Sequence, residues 1–253
     1  MNQPAFIHCA YAATASASAT DTATGYAPAD ALIATEDPGV AWKPANTTGA
    51  KSYTIYLDGP QVIDCLALLG RGLNGITLEV RGSTDNFSTS NVQLSAGAAL
   101  VGSCIAWRKW TNSTAYRCIR LNFSGFGSDF LLMYACPTQL QPLPYHADGH
   151  DPDVIQAETK HLLSPQKMFL GTTQQNATRP LSLDWGQLTD AEYAPFAAWA
   201  DNCVATSRPF FYVPDIDQST VYFGWTDEKY KFSAPYKNGL RDIGKIPFTA
   251  RVT

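Results

Sequence analysis

Residues 53–87 read YTIYLDGPQVIDCLALLGRGLNGITLEVRGSTDNF. The segment 70–75, GRGLNG, fits the dinucleotide-binding pattern G-x-G-x-x-G after an apolar run. A nucleotide site of that kind requires a helix after the glycines, because the amides at a helix N-terminus hold the pyrophosphate. Here Ile76, Leu78 and Val80 alternate with polar residues, which is the period of a half-buried strand. The stretch therefore predicts a β-hairpin with a glycine turn, and it argues against a nucleotide site.

The composition of the 253-residue chain is typical of a mostly-β protein. Charged residues make up 16% and aromatic residues 12%, with 18 glycines and 16 prolines that would punctuate short strands. A formal net charge of -4 and the lack of a basic run argue against a nucleic-acid partner. No apolar stretch is long enough to predict a membrane span.

Residues 1–137 are predicted to form a β-sandwich domain, because every convincing element in that range is a short strand closed by a turn. Val62 to Leu69 is almost continuously apolar, as expected of a central strand that is covered on both faces. The other predicted strands lie at 53–57, 76–80, 119–123 and 130–136.

Residues 138–153 contain several prolines and little apolar periodicity, which predicts a linker or an exposed strap. Residues 154–253 are predicted to form a smaller α+β domain in which one helix packs on a sheet. Thr189 and Glu192 fit a capping box at the start of a helix that ends at Val204. Pro195 conflicts with that start, so the ordered helix is expected to begin near Tyr193.

Six cysteines, at positions 9, 65, 104, 118, 136 and 203, are predicted to be free thiols, because a chain of this size does not need disulfides. Cys9 follows His8 directly, and neighbouring side chains in a strand point to opposite faces, so the pair does not predict a catalytic dyad. The sequence contains no G-x-S-x-G, H-E-x-x-H or phosphate-loop motif. We therefore expect no enzymatic activity and no cofactor.

The densest group of potential metal ligands is His146, Asp148, His150 and Asp151, which could bind a divalent cation. They lie in the predicted linker, however, where polar residues accumulate without a role in binding, and a solvated strap is the favoured interpretation. Asp215 and Asp217 would share one face of an extended segment, but their place after a strand favours a turn.

Trp42, Trp107 and Trp110 are expected in loops of the first domain, with Arg108 beside two of them. Exposed aromatic rings stack on sugars or anchor protein interfaces, whereas buried ones close the end of a sandwich core. These four residues are therefore the candidate contacts for a partner or a glycan, with core packing as the alternative.

Three further stretches, together with residues 53–87, carry a resemblance to a known family. They are GYAPADAL at 25–32, DPGVAW at 37–42 and YRCIRLNFSG at 116–125. In this arrangement, residues 20–136 resemble the galactose-binding-like (discoidin or jelly-roll) domain. The resemblance implies a β-sandwich and does not by itself identify a ligand site.

Within that family, Leu73-Asn74 and Ser83-Thr84-Asp85 are similar to minor tail proteins of tailed bacteriophages, and residues 183–213 are similar to tail-tip or baseplate proteins. The resemblance implies a non-catalytic structural component of the virion tail, assembled in the host cytoplasm. Its partners would be other tail or baseplate proteins and copies of itself in a homo-oligomer. The alternative is a carbohydrate-binding module that mediates attachment to a cell-surface glycan.

Overall fold

The computed structural model describes residues 3–9, 15–144, 156–163, 169–227 and 229–251, with the backbone alone in 156–163 and 169–177. The predicted mostly-β fold is confirmed. The strands are β1 Ala5–Ile7, β2 Ser16–Ala19, β3 Lys51–Val62, β4 Cys65–Arg71, β5 Thr77–Ser83, β6 Val92–Ala99, β7 Ile105–Lys109, β8 Ala115–Ser124, β9 Leu131–Thr138, β10 Gln141–Pro142, β11 Gln156–Leu163, β12 Phe169–Trp185, β13 Phe210–Val213, β14 Tyr222–Trp225, β15 Tyr236–Lys237, β16 Leu240–Arg241 and β17 Gly244–Arg251. A 3₁₀ helix spans Pro28–Leu32, and α1 spans Asp190–Trp199 and continues as a π-helical turn over Ala200–Val204.

The first half of the chain forms a β-sandwich of two antiparallel sheets. A five-stranded sheet has the order β2-β3-β8-β5-β6, and a three-stranded sheet has the order β7-β4-β9. Inward side chains of both sheets meet in one core around the fully buried Trp42, Tyr53 and Phe123. The predicted sandwich is therefore present.

The glycine-rich stretch is a corner between the two sheets, and the predicted hairpin is wrong. β4 pairs with β7 and β9, whereas β5 pairs with β6 and β8, so the strands on either side of the glycines are not neighbours. Thr77–Ser83 is a strand, as predicted, so no helix follows the glycines. Gly72 and Gly75 have φ angles of +62° and +81°, which glycine adopts without a steric penalty. Side-chain alternation predicted the strands correctly, but it contains no information about their pairing partners.

The three-stranded sheet is buried on both faces, as the apolar run of β4 predicted. Leu66 and Leu68 face the sandwich core, while Cys65, Ala67 and Leu69 face a second apolar cluster. That cluster also contains Ile7, Phe211, Val213 and Phe223 from strands at the two ends of the chain. We call it the seam, because it joins the sandwich to the remaining sheet.

The remaining sheet has seven strands in the order β10-β1-β13-β14-β17-β12-β11. β1, from the range assigned to the first domain, pairs with β13 and with β10. Within the range 138–153 assigned to the linker, Pro142 pairs with Ala5 and Leu143 is buried. The division at 1–137, 138–153 and 154–253 stays a prediction, and the described residues place both ends of the chain in one sheet.

The helix covers the outer face of this seven-stranded sheet, as predicted. Phe196 and Trp199 pack on Phe6, whose ring lies 4.6 Å from the Trp199 ring centroid in a stacked arrangement. The capping box is present, since the amide of Glu192 donates to Thr189 Oγ1 and the amide of Thr189 donates to Glu192 Oε2. The helix therefore begins at Asp190, and the expected later start is wrong. Pro195 lacks the amide that would donate to the Ala191 carbonyl, while the capping contacts of Thr189 and Glu192 hold the first turn that precedes it.

All six cysteines are free thiols, in agreement with the sequence. Among the described residues, no helix combines the length and the apolar character needed to cross a membrane.

We predict that Gly70→Ala destabilises the protein by about 1–3 kcal/mol. A Cβ at Gly70 would lie 2.3 Å from the carbonyl oxygen of Leu131 across the β4–β9 pair, and backbone must move to relieve that contact. Gly59→Ala is the matched control, since a Cβ at Gly59 would meet no atom of a non-adjacent residue within 4 Å and its φ is not positive. Urea unfolding measures both variants, and an equal loss of stability in the two would contradict the explanation.

The seam is predicted to be held by apolar burial, with little help from its surface ion pair. Phe211→Ala should cost about 3–5 kcal/mol, because Phe211 is fully buried and stacks on Tyr134. Lys109→Ala should cost less than about 1 kcal/mol, because the Lys109–Asp217 pair is largely exposed. Chemical denaturation of the two variants tests this order, and the reverse order would show that the ion pair dominates.

Candidate functional site

Trp42, a candidate contact residue, lies in the sandwich core. It is fully buried, and its ring packs against Tyr53, Phe123 and Phe130. Its indole N–H donates to the carbonyl of Asp21 at 3.1 Å. The Trp42 indole therefore has no face exposed to a glycan. Its position matches the alternative interpretation, in which the ring packs in the core.

Trp107 and Arg108 lie in strand β7, where loops were expected. The indole N–H of Trp107 donates to the carbonyl of Gln218 at 3.1 Å, and the neighbouring Lys109 Nζ lies 2.7 Å from Asp217 Oδ1. Both contacts join the sandwich to the loop after β13. Trp107 therefore makes an interface contact, and its partner is another part of the same chain.

Arg108 and Trp110 also bind backbone carbonyls of their own chain. The Arg108 guanidinium donates to Leu78 O at 2.7 Å and to Ala98 O at 2.8 Å, and burial lowers its pKa. The Trp110 indole N–H donates to Ile63 O at 3.0 Å. These bonds close the edges of the sandwich, and they explain the positions of the Arg108 and Trp110 side chains without a ligand.

The histidine and aspartate group at His146, Asp148, His150 and Asp151 lies outside the described residues. Within the described ranges, no three His, Cys, Asp or Glu side chains come together as a metal site. Asp215 and Asp217 form a turn, as predicted, in which Asp215 Oδ1 accepts from the amide of Asp217 at 3.0 Å.

His8 and Cys9 line one cavity of about 280 Å³, although sequence alternation placed them on opposite faces. β1 ends at Ile7, so the alternation of a strand no longer applies to them. Burial raises the pKa of the Cys9 thiol well above its usual range, and its Sγ donates to Pro137 O at 3.3 Å. Burial also lowers the pKa of His8 to about 4. Because the Cys9 thiol stays protonated, it is a poor nucleophile. The shared cavity therefore does not make His8 and Cys9 a catalytic dyad.

The outer face of the five-stranded sheet carries a continuous polar array, which we call the polar face. Cross-strand register aligns Ser52, Asn122 and Glu79 in one row, and Thr54, Arg120 and Arg81 in the next. Asn122 Nδ2 donates to Glu79 Oε2 at 2.8 Å, and Arg81 donates to Glu79 Oε1 at 2.8 Å. Hydrogen bonding to Arg81, and then to Asn122, lowers the pKa of Glu79, so this carboxylate is ionised.

The loop after β5 is organised around Asp85. Its carboxylate accepts from the hydroxyl and amide of Thr89, the amide of Ser90 and the hydroxyl of Ser83. These bonds, chiefly that from the Thr89 hydroxyl, hold the pKa of Asp85 far below its usual range. The loop is therefore held by an ionised side chain and does not depend on apolar burial.

That loop carries Phe87 onto the polar face. Asn86 and Phe87 both adopt left-handed φ angles, of 58° and 61°. Asparagine adopts this region readily, whereas it is strained for the bulky Phe87 side chain. The Phe87 amide donates to the buried Ser83 hydroxyl at 2.7 Å, and the Phe87 ring centroid lies 3.7 Å from the Arg120 guanidinium carbon. Sequence reasoning missed this pair. The motif Ser83-Thr84-Asp85 stands out in the sequence, but contact between Phe87 and Arg120 depends on the β5–β8 pairing.

A second feature is the hairpin of β11 and β12, which extends beyond the seven-stranded sheet. β12 pairs with β17 from Thr178 to Trp185, whereas from Phe169 to Thr178 its described backbone pairs with β11. At 3.3 Å per residue, the nine residues at 169–177 would extend roughly 30 Å. We call this two-stranded extension the arm.

No protein-family model matches this sequence, and no curated protein sequence matches it. Among solved structures, the chain is similar to CpGH89CBM32-5 from Clostridium perfringens in complex with GalNAc-β-1,3-galactose, with 14% identity, a TM-score of 0.45, and coverage of 52% of this chain and 100% of the other. It is similar to chitosan-binding module 1 of a chitosanase/glucanase from Paenibacillus sp. IK-5, with 15% identity and a TM-score of 0.43. That match covers 49% of this chain and 94% of the module. A family 32 carbohydrate-binding module of Clostridium perfringens NanJ in complex with galactose matches with 14% identity and a TM-score of 0.41. That match covers 53% of this chain and 98% of the module. The likeness is one of fold, a β-sandwich over about half of the chain.

Proposed function

We propose that this chain is a non-catalytic structural component of a tailed-bacteriophage tail tip or baseplate. In this proposal it assembles in the host cytoplasm through contacts with copies of itself and with other tail proteins. The arm is the observation that supports assembly. The resemblance of Leu73-Asn74, Ser83-Thr84-Asp85 and residues 183–213 to tail proteins supports the tail as its place.

The arm supports assembly because an isolated two-stranded hairpin is only marginally stable in water. Among the described residues, β11 is the edge strand of the sheet, and the outer side of its backbone can add to the sheet of another chain. The opposite edge of the seven-stranded sheet is β10, which has two paired residues against eight in β11. Two such different edges favour a head-to-tail contact between copies, which is the kind of contact that forms rings.

We predict that shortening the arm shifts the protein toward the monomer. Residues 157–177 are replaced by Asn-Gly, because Gln156 and Thr178 are cross-strand partners that a two-residue turn can join. Size-exclusion chromatography with light scattering should give an oligomer for the unaltered chain and a monomer for the shortened chain.

Thermal unfolding of the shortened chain is the control, since the sheet from Thr178 to Trp185 keeps its pairing with β17. A control variant, Lys109→Ala, removes a surface contact elsewhere and should leave the oligomeric state unchanged. The proposal fails if the unaltered chain is a monomer, or if a stably folded shortened chain remains an oligomer.

A second candidate function is attachment to a cell-surface glycan, and the polar face is the observation that favours it. Sugar hydroxyls both donate and accept hydrogen bonds, and Asn122, Glu79 and Arg120 supply both kinds of group on one surface. The Phe87 ring beside them provides an apolar surface of the kind that stacks on a sugar face.

A glycan array probed with the purified chain tests this second candidate. We expect binding that Asn122→Ala weakens, because Asn122 bridges Ser52 and Glu79 in the middle of the array. Asn112→Ala, in a loop elsewhere on the sandwich, is the control for general effects of removing an asparagine. An array without bound glycans would rule the second candidate out.

A further inference from the structure

We propose that Arg120 binds the carboxylate or sulfate group of an acidic saccharide on the polar face. This inference rests on the second candidate function, glycan attachment, and it specifies the chemical class of the glycan. It is carried by the charge balance around Arg120, by the orientation of its guanidinium and by the strain in the loop that contacts it.

The charge balance leaves Arg120 as the cation without a counterion. Arg81 and Arg120 are directly opposite each other across β5 and β8, an arrangement that is unfavourable for like charges. Glu79 neutralises Arg81 through an ion pair of 2.8 Å. Among the described residues, no carboxylate lies within ion-pair distance of Arg120, and Asp85 is occupied by donors of its own loop. An anionic ligand would relieve the repulsion between the two arginines.

The guanidinium of Arg120 is fixed in place with its outer nitrogens available. Arg120 Nε donates to the hydroxyl of the buried Thr54 at 3.3 Å, and the Phe87 ring lies over the guanidinium. No described residue accepts a hydrogen bond from the two Nη atoms. A guanidinium held in this way presents a planar fork of donors, which matches the geometry of a carboxylate or sulfate group.

The strain in the Asp85 loop is consistent with a positioning role for Phe87. Phe87 has a left-handed φ of 61°, which is sterically unfavourable for an aromatic side chain, and such strain is concentrated at ligand contacts. The hydrogen bonds of Ser83 and Asp85 hold the strained backbone in place. As a consequence, the Phe87 ring lies against the Arg120 guanidinium. Phe87 therefore orients the fork of Arg120 on the polar face.

Isothermal titration with matched saccharides tests the inference on the full chain. The probes are trigalacturonic acid and its methyl ester for a carboxylate, and galactose 6-sulfate and galactose for a sulfate. We expect the charged member of at least one pair to bind roughly tenfold or more tightly than its neutral counterpart, and Arg120→Gln to remove that difference. Whichever pair responds identifies the anionic group.

Arg117→Gln is the matched control, because Arg117 is an exposed arginine on the same strand and its loss changes the net charge equally. It should alter the affinity less than about twofold, as expected for an exposed charge that solvent and salt screen. Arg120→Lys keeps the charge without the fork and should give an intermediate affinity. The NMR signal of Arg120 Nε–Hε in the unaltered chain should move on titration with the charged probe, which a purely structural arginine would not show.

The outcomes separate the inference from the function on which it rests. If neutral and charged saccharides bind equally and Arg120→Gln has no effect, glycan attachment stands and the anion site is wrong. If Arg117→Gln and Arg120→Gln weaken binding equally, the attraction is general charge and the anion site is again wrong. If no saccharide binds to any folded variant, both proposals fail.

Discussion

The three-stranded sheet β7-β4-β9 has apolar side chains on both faces, and each face must be covered by a different part of the protein. Leu66 and Leu68 are covered by the five-stranded sheet, while Ala67 and Leu69 are covered by Phe211 and its neighbours. The seven-stranded sheet has the same requirement, because Phe210 and Tyr212 alternate with Phe211 and pack under the helix. The fold is therefore a stack of layers in which each buried sheet requires the next layer.

This stacking explains where the aromatic residues of the first half are used. Trp42 lies inside the sandwich, Trp107 closes the seam against the loop after β13, and Trp110 binds the backbone beside β4. Side chains that suggested contact with a partner are thus engaged within the chain. The two proposed functions rest on other surfaces, the polar face and the arm.

The polar face and the arm differ in their chemistry, and this separates the two functions physically. The polar face offers charged side chains fixed by a hydrogen-bonded network, which suits a small polar ligand. The arm offers backbone groups at a sheet edge, which suit another strand of any sequence with compatible pairing. One chain can carry both, because they lie on different sheets.

The sequence by itself determined the strands around residues 53–87, the double-sided burial of β4, the capped helix and the free cysteines. The strands, the buried run and the capped helix depend on neighbours close in sequence, such as the alternation of Ile76, Leu78 and Val80 or the Thr189–Glu192 box. The free cysteines follow from the size of the chain. Only the tertiary structure decided that the glycine corner crosses between sheets, that β1 joins β13, and that Phe87 meets Arg120. The physical reason is that side-chain period specifies which face of a strand is buried, whereas pairing is selected by the packing of residues distant in sequence.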